Sequence, residues 1–187
     1  MKLLSISFLC ALLMSTFFAC DSGSNTPSEN ATEVGIDNTT PQEAESEEVI
    51  DIADAEFSDA LIDKVFQNYL ELRTALVNSD AATAADAAGN MAETFTDERA
   101  ELRTLATQIA EADELDIQRT YFSALTAEME SLFEDALSSG TIYKLHCPMA
   151  FDGEGADCYS EVSEIRNPYF GDKMLTCGRV EEEITGG

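Results

Sequence analysis

Leu61, Val65, Tyr69, Leu72 and Leu76 recur at steps of four and three, which sets them on one helical face. Ile62, Phe66, Leu70 and Val77 widen that stripe. So broad an apolar face needs neighbours on two sides, as in a bundle. The spacing predicts a helix over residues 57–78. Ser79 and Asp80 then supply capping oxygens for a second helix. That helix is mostly alanine, with Ala84, Ala88, Met91 and Phe95 on one face. Thr96, Asp97 and Glu98 open a third, with acids at the positive end of its dipole and Leu102, Leu105 and Ile109 buried. Asp113 caps a fourth, 114–137, whose face is Ile117, Tyr121, Leu125, Met129, Leu132 and Ala136. Ser138, Ser139 and Gly140 stop it. Short connections imply an all-α fold, an antiparallel up-down four-helix bundle over 57–139.

After Gly140 the periodicity is lost. Residues 141–146 are too few to fold alone and suit an extended segment. Gly153, Gly155, Asn167-Pro168 and Gly171 punctuate the rest of the chain. The expectation for 141–183 is an irregular tail, containing Cys and Met, packed on the bundle, with Tyr169 and Phe170 as its anchors.

The N-terminus reads as an export signal. Lys2 gives a positive start, Leu3 to Phe18 is an apolar run, and Phe17-Phe18-Ala19-Cys20 resembles a lipobox. Residues 1–19 are then a lipoprotein signal peptide removed from the mature chain. Cys20 takes the lipid and anchors the protein to a membrane, at the periplasmic or outer-membrane face of the cell envelope. The plainer alternative is a secretory signal cut after Ala19. Residues 20–55 are polar, acidic and aperiodic, the composition of a disordered tether. The domain proper is 56–187. With 37 Asp+Glu against 10 Lys+Arg, the chain repels phosphate backbones, which argues against a nucleic-acid partner.

Of five cysteines, Cys147, Cys158 and Cys177 belong to the domain, and all lie near its C-terminal end. The informative stretches are His146-Cys147-Pro148-Met149 and Met174-Leu175-Thr176-Cys177. Two thiols and two thioethers brought together make a soft site, which selects Cu(I), while thiolates with imidazole also suit Zn(II). The candidate ligands are Cys147, Met149, Met174 and Cys177, with His146, the one histidine, as a further donor. The bland alternative is a Cys147–Cys177 disulfide, ordinary outside the cytoplasm, with both methionines as core filling. An enzyme is the weakest reading. The chain has no nucleophile elbow, phosphate loop or His-Glu-x-x-His element.

Tyr143-Lys-Leu-His-Cys-Pro-Met-Ala-Phe-Asp152 and Glu164-Ile-Arg-Asn-Pro-Tyr-Phe-Gly-Asp-Lys-Met-Leu-Thr-Cys-Gly178 resemble the signature of the DUF3347 family. Tyr69 to Asp80 and Gln118-Arg119 resemble its helical half. Such domains are exported, alone in lipoproteins or fused to adaptor subunits of heavy-metal efflux pumps. The resemblance implies metal handling, with copper foremost and zinc the lesser candidate. Its partner would be an efflux adaptor or another envelope protein, and Cys147, Met149, Met174 and Cys177 would be the positions carried over. Cys158 departs from the pattern, which has an aromatic there. The competing expectation is a non-enzymatic interaction domain stapled by Cys147–Cys177.

Overall fold

The computed structural model describes residues 54–187. The signal peptide, Cys20 and nearly all of the tether lie outside the described residues. Four helices succeed one another: α1 (Ala60–Val77), α2 (Ala81–Thr94), α3 (Ala100–Ala110) and α4 (Leu115–Ala136). Each packs on the next, and α4 returns to α1. Among the described residues no helix is long and apolar enough to cross a membrane.

Local chemistry sets most boundaries. Asp59 caps α1 by accepting from the Leu61 amide at 2.8 Å, and Asp80 caps α2 through the Thr83 amide at 3.0 Å. Thr96 does not open α3 directly. A single 3₁₀ turn, Asp97–Arg99, intervenes. The residue flanking α4 is Glu114, without a side-chain cap, rather than Asp113.

The expectation of an all-α fold with an irregular tail needs correction. Helix α4 ends at Ala136, not at the Ser-Ser-Gly stop, because residues 137–139 form strand β2 (Leu137–Ser139), paired with β1 (Glu56–Phe57). The tail contains a three-stranded antiparallel sheet in the order β4-β3-β5, from β3 (Thr141–Cys147), β4 (Ala156–Ser160) and β5 (Arg179–Thr185). The fold is mixed. Strand β3 is rich in β-branched and aromatic residues and takes the centre. On β5, Glu181, Glu182 and Glu183 stay exposed, where charge discourages further strand addition along that edge.

One core joins the helices to the sheet. Phe66, Tyr69, Phe122, Phe133 and Tyr159 are fully buried, with Tyr69 stacked on Phe122 and edge-on to Phe133. The Tyr69 hydroxyl shares a 2.9 Å hydrogen bond with Thr126 Oγ1 and accepts from the Tyr159 amide at 3.1 Å. A buried phenol is thereby satisfied from both α4 and β4.

Arg119, on α4, is nearly as buried. Its Nε donates to Pro168 O at 2.8 Å, and one Nη donates to Leu76 O at 3.2 Å and Ser79 Oγ at 3.1 Å. It therefore fastens the tail to the α1–α2 turn. Gly171 presses on the same turn at a φ of 56°, where an added Cβ would lie 2.3 Å from Ser79 Oγ.

Candidate functional site

Strand pairing decides which way the cysteines point. Leu145 lies opposite Cys158, Cys147 opposite Ala156, and His146 opposite Asp157. Side chains alternate along a strand, and directly opposed residues share a face. Leu145, Cys147 and Cys158 therefore occupy one face of the sheet, and His146 and Asp157 the other. The first face is covered by the loop that runs from β4 to β5.

Asn167 is the hub of that loop and is 2% exposed. Its Nδ2 donates to Cys147 Sγ at 2.9 Å and to Cys177 O at 2.8 Å. Its Oδ1 accepts from the Tyr169 amide at 2.9 Å. Its own amide donates to Leu175 O, and its carbonyl accepts from Gly171 N. One side chain thus gathers both cysteine segments and the aromatic anchor.

Cys147, Cys158 and Cys177 are free thiols. Desolvation, followed by the neighbouring Cys147 thiol, pushes the Cys177 pKa up. All three cysteines line one cavity with Leu145, Ile165 and Asn167. Its free volume is about 10 Å³, room for about one water molecule.

Cys158 is deeply buried, and burial raises its pKa against the opposing pull of the Arg73 guanidinium. Arg73 itself is 6% exposed. One of its Nη atoms donates to Arg166 O at 2.9 Å, while its buried Nε finds no acceptor. Among the described residues no carboxylate pairs with it. The buried guanidinium partly offsets the desolvation that disfavours the Cys158 thiolate.

The other sequence candidates fall elsewhere. The His146 ring turns to the opposite face, where Nδ1 meets Asp157 Oδ1 at 2.6 Å. Gly155 lies against the far edge of the imidazole, and a Cβ there would come within 3.0 Å of Nε2. Met149, 53% exposed, and Met174 line a separate cleft of about 610 Å³ with Phe151, Tyr169 and Phe170. The structure therefore joins thiol to thiol in one cavity and brings both thioethers to the wall of another. Among the described residues no group of three or more His, Cys, Asp or Glu is arranged to hold a metal ion.

Tyr169 is buried as expected of an anchor, and its hydroxyl donates to Asp157 O. Phe170 is only half-buried. Sequence reasoning passed over Asn167 and Arg73. Arg73 had a readable signal, since Tyr69, Arg73 and Val77 stand at steps of four on the apolar face of α1.

Residues 65–140 match the family model described as "Protein of unknown function (DUF3347)", so the chain carries a DUF3347 domain there. The match runs from within α1 through α4 and stops at Gly140, and the three cysteines Cys147, Cys158 and Cys177 lie beyond it. No curated protein and no solved structure matches the chain.

Proposed function

We propose that this chain, with its DUF3347 domain as scaffold, is a lipid-anchored envelope protein that holds a soft monovalent ion, Cu(I), between the thiolates of Cys147 and Cys177. The observation that carries the reading is that both thiols line one small cavity, with the Asn167 amide bridging Cys147 Sγ and Cys177 O. Paired thiolates are soft donors of the kind Cu(I) selects, and Zn(II) would want further ligands to complete a tetrahedron. The four helices act as an up-down support for the sheet and its loop. Cys20 would supply the membrane anchor, and an efflux adaptor or another envelope protein the destination of the ion. The reading is of a binding protein, because a cavity with room for about one water admits an ion to the sulfurs.

The donor set fits the ion in charge as well. Two thiolates and one Cu(I) carry a net negative charge, and Arg73 puts a buried positive charge on the same side of the sheet. Binding displaces the thiol protons, so affinity rises with pH. A Cu(I) titration in reducing buffer against a competing chelator tests this. Stoichiometric Cu(I) should protect Cys147 and Cys177 from alkylation, and Cys147→Ser or Cys177→Ser should abolish that protection.

The same cavity favours a second reading. Two free thiols that share so small a space are candidates for a disulfide, which would make the domain a stapled interaction module. Intact mass measured without reductant separates the two. A quantitative Cys147–Cys177 disulfide that takes up no Cu(I) after reduction would favour the staple.

A further inference from the structure

Strand β3 ends at Cys147, and Pro148 comes next with no amide to continue a ladder. Phe151 and Asp152 then both adopt left-handed backbone, at φ 51° and 58°. Left-handed conformation is uncommon for a bulky residue such as phenylalanine, and such strain concentrates at ligand sites. This turn brings Met149, Phe151 and Asp152 to one wall of the 610 Å³ cleft. The β4–β5 loop brings Tyr169, Phe170 and Met174 to another. At the floor, Arg119 is already committed to Pro168 O, Leu76 O and Ser79, with Asp116 at 3.6 Å. Asp152 is exposed and has no ion-pair partner among the described residues.

We propose that this cleft is a second, separate binding site for a soft monovalent cation, Cu(I) or its redox-inert analogue Ag(I), with the Met149 and Met174 thioethers as ligands. It shares with the thiol site the class of ion and nothing else. Thioethers are soft and uncharged, so they take Cu(I) or Ag(I) and leave Zn(II), Mg(II) and Ca(II) in water. Because they do not neutralise the ion, its charge must be met by other groups. The faces of Phe151, Tyr169 and Phe170 and the Asp152 carboxylate offer that in the same cleft. Thioethers have no proton to displace at ordinary pH, so protons do not compete with the ion for these ligands. The two sites then differ in exposure as well as in pH response. An exposed thioether site exchanges its ion readily, as loading from a partner requires.

The test is a titration of the chain with Ag(I), monitored by NMR of methionine labelled with ¹³C at the ε-methyl. Met91 and Met129 are fully buried in the helices and serve as internal references. The expected result is that the Met149 and Met174 methyls shift together and saturate while Met91 and Met129 stay still. The shifts should persist at pH 5 and in the Cys147→Ser/Cys177→Ser double variant. Met149→Leu/Met174→Leu, which nearly conserves volume, should lose this binding event and keep the protected thiols. Methyls that do not move would overturn the proposal. So would shifts that vanish with the cysteines, because the four sulfurs would then form one site. A cysteine variant that keeps the methyl shifts, in a protein whose thiols are never protected, would sink the thiol reading and leave this one standing. The parent spectrum alone decides the matter if the leucine variant fails to fold.

Discussion

Replacing Asn167 tests whether one amide assembles the cysteine site. In Asn167→Ala, the Tyr169 N–H loses its acceptor and Cys177 O its donor. A buried polar group left unpaired costs about 1–3 kcal/mol. The Tyr169 amide is buried and bears the full cost, while Cys177 O is only part-buried and recovers some of it from water. The loss should therefore come to about 2–4 kcal/mol, a large share of the 5–15 kcal/mol that holds an ordinary domain together.

Asn167→Asp separates structure from chemistry. The carboxylate still accepts from the Tyr169 N–H, but it cannot donate, and it places negative charge against Cys147 Sγ and Cys177 O. Stability should fall in both variants. Both variants remove the Nδ2 donor from Cys147 Sγ, and the aspartate adds an anion beside it, so alkylation of Cys147 should be slower in Asn167→Asp than in Asn167→Ala. Urea denaturation read by circular dichroism gives the first quantity, with an unchanged slope showing that the unfolded state is the same. Timed alkylation with mass readout gives the second. A loss below about 1 kcal/mol in both variants would refute the hub assignment, and equal alkylation rates would refute the electrostatic part.

Other contacts set further outcomes. Gly171→Ala should cost at least ~1 kcal/mol for its left-handed backbone alone and more for the overlap with Ser79, so thermal melting should fall and protease should reach residues 141–187 early. Tyr169→Ala should release that segment to protease before the helices unfold, and more readily than Phe170→Ala, since Tyr169 is 6% exposed and Phe170 half-buried; equal susceptibility would overturn the ranking. Asp80 is held below its usual pKa by hydrogen bonds from Thr83. Its contribution is therefore present above the ordinary carboxylate pKa and is lost as pH falls through the lower folded value. Asp80→Ala should lower the melting temperature at pH 7, with the gap to the parent closing in strong acid.

The first three helices were legible because each carries a buried stripe with the right period; on α4 the buried face is turned to Gln118, Arg119, Phe122 and Phe133, and Ile117, expected on that face, is 43% exposed. Leu61, Val65, Tyr69, Leu72 and Leu76 announce α1 with no need of context, and Asp80 announces the start of α2. The sheet was illegible for the complementary reason. β5 reads Arg-Val-Glu-Glu-Glu-Ile-Thr, with no alternation of apolar residues, and it is a strand because the open edge of β3 supplies backbone partners. Tertiary context decides such segments, since β-propensity measures fit to a neighbour more than an intrinsic backbone preference. The bulge between Lys144 and Leu145 in the β3–β5 register likewise has no local signature.

The site shows the same division. Sulfur content and spacing singled out the stretches that line the thiol cavity and the neighbouring cleft, but spacing could not say which sulfurs share which. Two residues apart on a continuing strand, Cys147 and Met149 would share a face. The strand stops between them, and the left-handed pair Phe151-Asp152 completes a turn that leaves Met149 exposed while Cys147 stays buried. Met174 and Cys177 part in a similar way, because a turn closed by the Cys177 amide on Met174 O lies between the cleft of the one and the cavity of the other. Each half of the motif thus sends its thiol to the cavity and its thioether to an open cleft. Protons compete for thiolate ligands and not for thioethers, so Cu(I) affinity that falls with pH at one set of sulfurs and holds at the other tells two sites from one without any substitution.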